Sequence, residues 1–263
     1  MSNDYYTPKQ IQEFFDAAKD TEKKRQALSA AFIAHEFKSR RAREFAVHGF
    51  CRRFNTLHRC IEKVFETLPP DLTGIPQRDA LLDTAIVIQT FILNTFGSLD
   101  NLAWTWVKEK KITRQNGKSL SFGEIGLSEK CSEVRKSLPE KFRELLKMRK
   151  EWFETMESYR HAIAHRIPLY VPPAAVLPEN EQKYLELGKA SYEASLRGDR
   201  AARIRIEAER EKLEFFRPLI VHSFSETSPL LVIHPQILAD YHTIEEFAWQ
   251  MHASLNAGEL GSE

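Results

Sequence analysis

The chain has 263 residues, of which 42% are hydrophobic, 11% aromatic and 29% charged, with 10 Gly and 12 Pro; this ordinary globular usage excludes low-complexity, collagen-like and bare coiled-coil chains. Lys and Arg number 38 against 37 Asp and Glu, a net charge of +1, so any nucleic-acid surface must come from local segregation of charge. Cys51, Cys60 and Cys131 form no Cys-x-x-Cys pair, which argues against a disulfide framework or zinc knuckle, and a start at Met1-Ser-Asn-Asp-Tyr-Tyr without an apolar run makes a cytoplasmic location the expectation.

Thr7-Pro8 opens a loosely periodic helical stretch to about His35, as one helix or two. From about Ser39 to Leu68, Ala46, Val47, Phe50, Phe54, Leu57, Ile61, Val64, Phe65 and Leu68 share about a third of a helix circumference, and Pro69-Pro70 ends the run. Asp79 to about Lys110 is apolar nearly all round in its first two thirds, which predicts a helix at the centre of a bundle. Phe91, Phe96, Trp104 and Trp106 on it are expected in the core. Its uncharged run from Thr84 to Leu99 contains Gln89 and Asn94 and reads as too short and too polar for a bilayer about 30 Å thick, so no membrane partner is expected.

Gln115-Asn-Gly-Lys118 is a turn, and a short helix capped by Ser128 follows. A helix from about Leu138 or Pro139 to His165 ends where Pro168, Pro172, Pro173 and Pro178 extend the chain. Glu179 to about Glu214 predicts a long charged helix or a helical pair interrupted near Gly198-Asp199. Phe215 to Phe224 and Leu230 to Ile233 flank Ser225-Glu-Thr-Ser-Pro229 as a small hairpin, and a last helix runs from Thr243, with Glu246 as capping-box partner, to about Leu255. The expected fold is all-α. A helical segment (1–38) precedes an up-and-down helical bundle (39–173), and a long helical insertion, small hairpin and terminal helix (174–263) pack on that bundle.

The candidate chemistry lies in Tyr159-Arg160-His161-Ala162-Ile163-Ala164-His165. On the wheel set by Phe142, Leu145, Leu146, Trp152, Phe153 and Met156, Arg160 falls in the middle of the apolar face, where an unpaired guanidinium is costly to bury. Its partner is then an acidic side chain, Asp100 being the obvious one, a facing subunit, or a bound phosphate. His165 lies about 140° around from Arg160, so the two converge only if two copies of the helix meet. Arg43 to His48, Arg53 to His58 and Arg217 to His222 repeat the spacing, and only the apolar context singles out Arg160.

An imidazole with a pKa near 6.5 can take the proton of a ribose 2′-hydroxyl or protonate the leaving 5′-oxygen. A fixed guanidinium can stabilise charge developing at phosphorus. Together they suit metal-free RNA cleavage that leaves a 2′,3′-cyclic phosphate and a 5′-hydroxyl. His161 and His165, four apart, have the spacing of metal ligands, but no Glu follows His161 and no third ligand is evident, so neither metal nor cofactor is expected. Arg41, Arg52, Arg59 and Lys63 align with His48 within about 40°, opposite the apolar face of their helix. That stripe is either an RNA phosphate track or a solvated face.

Arg160-His161-Ala162-Ile163-Ala164-His165, on a terminal core helix, resembles the signature of the HEPN superfamily: Arg, four to six residues, then His, with a polar residue after the Arg. The resemblance covers about 39–173, and Gly97-Ser-Leu-Asp-Asn-Leu-Ala-Trp104 fits a core helix of that domain. It implies a helical bundle that dimerises through the motif helices and cleaves RNA without metal in toxin or antiphage systems, with an antitoxin or defence protein as a further partner. By the resemblance Arg160 and His165 would be catalytic and His161 auxiliary; Asp100, the expected partner of Arg160, and the adjacent Tyr159 are supporting candidates outside that carry-over. Toxins of this superfamily silenced by a nucleotidyl-transferring antitoxin carry a Tyr two residues beyond the His, where Ile167 stands here. Some HEPN-like proteins are non-catalytic, and the alternative is a module that binds RNA, nucleotide or protein through the same groove. A purely structural bundle in a larger assembly is a third possibility.

Overall fold

The computed structural model describes residues 5–223 and 230–257. Helix α1 (Pro8–Ala34) is a single helix, opened by a capping box in which Thr7 and Gln10 satisfy each other's backbone donors. Next, α2 (Arg40–Arg43), a π-helical segment (Glu44–Phe50) and α3 (Cys51–Thr67) follow without leaving helical geometry. The π-helical turn is absent from the sequence expectation, and it changes the phase of everything before Phe50 relative to α3. Within it, Gly49 leaves the space that the Asn101 side chain occupies; a Cβ there would lie 2.8 Å from Asn101 Cγ.

Helix α4 (Arg78–Lys110) spans 33 residues. Leu81, Ala85, Ile88, Ile92, Leu99 and Trp106 are buried against α3 and the rest of the core. Its opposite face is open, with Leu82 at 52%, Ile86 at 62% and Leu93 at 43% exposure. The helix packs against α2, the π-helical segment, α3 and later helices, as expected at the centre of a bundle, and this one face stays uncovered. By length and composition alone α4 is also apolar enough to cross a membrane, a test that the core helix of a soluble protein passes as well.

Past the turn at Gly117 come α5 (Ser132–Ser137), α6 (Glu140–Met148) and α7 (Lys150–His165). Two corrections arise here. Ser128 does not cap α5, whose N-cap position is Cys131. The single helix expected up to His165 is broken at Arg149, which leaves helical geometry at φ −99°, ψ 19° and pairs with Glu246 at 2.8 Å.

The expected helical pair is α8 (Glu181–Leu196) and α9 (Arg200–Glu211), reversed at Gly198 with φ +72° and capped by Asp199. Strand β1 (Ala175–Val176) pairs with β2 (Glu214–Phe215), and β3 (Leu219–Ile220) with β4 (Leu231–Val232), both antiparallel. The second pair is the expected hairpin, and its connection at 224–229 lies outside the described residues. The last helix, α10 (Ile233–Asn256), starts ten residues before the expected Thr243. Pro235 falls in its first turn, where no amide donor is needed. Thr243 instead bonds Ala239 O inside the helix, and Glu246 serves Arg149 rather than a capping box.

One hydrophobic core runs from Leu28 on α1 through α3, α4, α6 and α7 to Leu255 on α10. Phe54 stacks on Tyr241 at 4.5 Å, a geometry that contributes about 0.5–1.5 kcal/mol beyond area burial. The fold is mainly helical.

Candidate functional site

On α7, Phe153, Met156, Tyr159 and Ala162 are the buried residues. With the chain broken at Arg149, the apolar face of α7 is set by these residues alone and no longer by Phe142, Leu145 and Leu146. Its centre turns away from Arg160, which stands on the flank of the face and is exposed. The expectation of a core-buried Arg160 is thereby corrected. Arg160, His161, Ala164 and His165 are all exposed and share an arc of about 140°, with the small Ala164 inside it. Tyr159 points the other way, fully buried, its ring edge-on to His222 at 5.5 Å.

Helix α4 supplies the facing wall. Leu82, Ile86, Leu93, Phe96, Asp100 and Trp104 recur within about 80° on one face of it. The Arg160 guanidinium lies 5.1 Å from the centroid of the Phe96 ring, a cation–π contact worth about 0.5–1 kcal/mol at an open site. Gln89, on the same face, donates to Leu169 O at 2.8 Å. The chain leaving α7 after His165 therefore crosses α4, and the two helices run antiparallel here.

Between α4, α7 and the loop before α5 opens a cleft of about 340 Å³. Phe96, Trp104 and Phe122 wall it, and Asp100, Glu157 and Arg160 face it. Asp100 stays exposed, but the surrounding cleft walls partly desolvate its carboxyl and push it up, while the charges of Arg160 and Arg53 pull it down. Among the described residues Asp100 closes no ion pair, so the expected partnership with Arg160 acts through charge at a distance.

Arg53 is held elsewhere. Its guanidinium donates to Asn94 Oδ1 and Asn101 Oδ1, each at 3.0 Å, across Gly97, where a Cβ would lie 2.4 Å from its Cζ. Glycine at 97 is thus what admits Arg53 between α3 and α4.

Phe122 is 83% exposed, on a 3₁₀ turn Phe122–Glu124 closed by a Ser121–Glu124 capping box. Arg114 donates to Glu124 at 2.9 Å and 2.5 Å, and these bonds with those from Ser121 hold the Glu124 carboxyl down at about 2. Trp104 stacks on Phe45 at 5.1 Å and meets Phe122 in a tilted pair at 5.1 Å, with Lys108 over its ring at 5.0 Å. Phe91 and Trp106 are buried as expected, but Phe96 and Trp104 are only half-buried and line the cleft.

The basic stripe is divided. Arg41 lies over Phe45 at 4.7 Å and pairs with Glu44 at 2.6 Å. Arg52 donates to His48 Nδ1 at 3.2 Å, Arg59 pairs with Glu62 at 2.8 Å, and Lys63 pairs with Glu66. Glu62 in turn reaches His58 at 3.5 Å, next to α1. Interleaved carboxylates neutralise Arg41, Arg59 and Lys63, and only Arg41 adjoins the aromatic ladder.

His161 Nε2 stands 4.0 Å from Glu157, and His165 is open on the same arc. Among the described residues no group of three His, Cys, Asp or Glu side chains converges as a metal site requires. Cys51 and Cys60 are buried and free, their thiols pushed up to about 11 by desolvation; such thiols are poor nucleophiles.

Sequence reasoning located Arg160, His165 and Asp100 but missed Phe45 and Phe122. The one available signal for Phe122 was the Ser121-Phe-Gly-Glu124 capping box, which fixes a turn and presents its aromatic outward. Compared with known proteins, the chain matches no family model, no curated protein and no solved structure.

Proposed function

We propose that the protein is a metal-independent endoribonuclease of HEPN type, acting as a homodimer in the cytoplasm, with Arg160 and His165 of both copies lining one composite cleft. The observation that carries this reading is the exposed arc of α7, on which Arg160, His161 and His165 stand together outside the core. Their divergence on one helix suits a site completed by a second copy, and Ala164 between them lets two such helices approach closely. The open apolar stripe of α4, Leu82, Ile86 and Leu93, lies on the face crossed by the chain after His165. Burial of that stripe in a dimer would supply about 25 cal/mol per Å². Free buried thiols accord with a reducing compartment.

In this mechanism His165 takes the 2′-hydroxyl proton or protonates the leaving 5′-oxygen, and Arg160 stabilises the charge gathering on the phosphorane oxygens. His161, beside Glu157, assists as a second polar group. Purified protein is expected to cut single-stranded RNA in EDTA and to sediment as a dimer, and His165→Ala is expected to abolish cutting without changing the thermal midpoint. A wild type that leaves RNA intact under these conditions overturns the reading.

A second reading is favoured by the cleft itself, whose aromatic walls suit binding more directly than cutting: a non-catalytic RNA- or nucleotide-binding module. Its signature is RNA binding without cleavage, with Arg160→Ala lowering binding and leaving the thermal midpoint nearly unchanged.

A further inference from the structure

The cleft holds a juxtaposition that neither α4 nor α7 needs for packing. Asp100 and Arg160, an acceptor and a cation, both face it, and among the described residues neither closes an ion pair within 4 Å. Three aromatic rings surround them: Phe96 under the guanidinium, Trp104 on the α4 wall, and Phe122 at the rim. Phe122, 83% exposed, adjoins Trp104 and lines the cleft with Phe96, and a contiguous aromatic patch of this kind marks a binding surface. Phe122 does not owe that exposure to a loose loop, because its turn is fastened by the Ser121–Glu124 box and the Arg114–Glu124 fork. The notch beside Trp104 is therefore preformed. On the loop side, Gly123 offers open space where a Cβ would meet nothing within 4 Å. The volume of about 340 Å³ falls at the lower end of small-molecule pockets, about 300–1,000 Å³.

We propose that this cleft is a nucleobase subsite for single-stranded RNA, selective for guanine. The base enters beside Trp104 and stacks on the exposed Phe122 ring, its neighbouring phosphate meets Arg160, and the Asp100 carboxylate accepts hydrogen bonds from the base edge. Single-stranded RNA is the ligand class that needs all three features together: a π-face for stacking, a cation for phosphate, and a directional acceptor for base identity. A carboxylate only accepts, so it favours a base with adjacent N–H donors on its Watson–Crick edge, which is guanine. Lys108 above Trp104 and Arg41 above Phe45 continue the alternation of cation and ring along the surface, a path for the strand beyond the bound base. The subsite deepens the RNA reading above and rests on it for the identity of its ligand.

The test uses the full chain and fluorescently labelled 2′-O-methyl RNA hexamers that carry a single G, A, C or U within a uniform background. These are uncleavable because the attacking hydroxyl is blocked, so binding is read by polarisation apart from cutting. Wild type is expected to bind the G hexamer about tenfold tighter than the C hexamer. Phe122→Ala is expected to weaken binding of every hexamer about tenfold, the scale of one lost stacking contact, with an unchanged thermal midpoint. Asp100→Asn is expected to remove the preference for G while retaining binding, a result that loss of fold could not produce. Binding with this pattern by a protein that cuts no RNA supports the subsite and overturns only the nuclease reading. RNA cutting that proceeds with G preference and affinity unchanged in both variants overturns the subsite and leaves the nuclease reading intact. Absence of hexamer binding at micromolar protein, or capture of an apolar peptide by Phe122 in place of RNA, overturns the subsite as well.

Discussion

The seam where α10 packs on α1, α3 and α7 and the cleft between α4 and α7 contain nearly the same kinds of side chain, put to opposite uses. In the seam, His58 bonds Thr21 and reaches Glu22 at 3.0 Å, His234 lies between Tyr6 and Leu68 O, and Asp240 accepts from Trp152 at 2.7 Å and Gln236 at 2.8 Å. Each of these groups is buried and has its partners within the chain. In the cleft and along α7, Asp100, Arg160, His161 and His165 face outward, and their strongest neighbours are a ring or a charge at a distance. Histidine and carboxylate chemistry marks a site only where the fold leaves those groups available.

The sharpest test of this contrast pairs two histidines. His165→Ala is expected to lower RNA cleavage about 10²–10⁴-fold, the usual contribution of a general acid or base, without moving the thermal midpoint. His58→Ala is expected to do the reverse, losing about 1–3 kcal/mol of stability through unsatisfied buried partners and leaving the cleavage rate of the folded fraction unchanged. A shift of midpoint in the first, measured calorimetrically, would move His165 to the structural side.

Asp240 should give the next largest effect. Burial pushes its carboxyl from the ordinary 3.8 to about 7, so between these values the folded chain holds a proton that the unfolded chain has released. Its contribution is complete below pH 3.8 and is lost as pH rises through 7, by up to about 4 kcal/mol. Asp240→Asn should remove this contribution, so that stability in urea titrations rises with pH between about 4 and 6.5.

His234 works in the opposite direction and a little less strongly. Burial pulls its imidazole from 6.5 to about 4, so its contribution is present above pH 6.5 and is lost as pH falls through 4, by up to about 3 kcal/mol. The two groups offset each other between about pH 4 and 6.5. His234→Gln should therefore steepen the decline with rising pH in that window, while wild type stays nearly level.

The smallest effect is expected from Arg59→Gln with Lys63→Gln. Both cations are already matched by Glu62 and Glu66 on the surface, and exposed pairs of this kind contribute little. RNA affinity in a salt titration should keep its slope; a slope reduced by about two would restore the stripe as a phosphate track.

Much of this architecture is legible in the chain because local signals agree with it. The Thr7-Pro8 start of α1, the Pro69-Pro70 stop after α3, the extent of α4 and the Gly198-Asp199 reversal between α8 and α9 each rest on backbone preferences that act within a few residues. The break at Arg149 has no such signal, since Leu146-Lys-Met-Arg-Lys150 contains neither Pro nor Gly. The docking of α7 on α10, with the Arg149–Glu246 pair, accompanies it. That one break carried Arg160 from the expected centre of an apolar face to its exposed flank.

Composition and periodicity by themselves determined the mainly helical class and most helix positions, because these follow from side-chain type and a 3.6-residue repeat. Tertiary structure decided which faces remain open, because exposure depends on what arrives from elsewhere in the chain. Arg53 is absorbed across Gly97, Tyr159 turns inward to His222, and Phe122 is brought beside Trp104 from 18 positions away. Those long-range placements turn a run of ordinary residue types into a cleft with an acceptor, a cation and three rings.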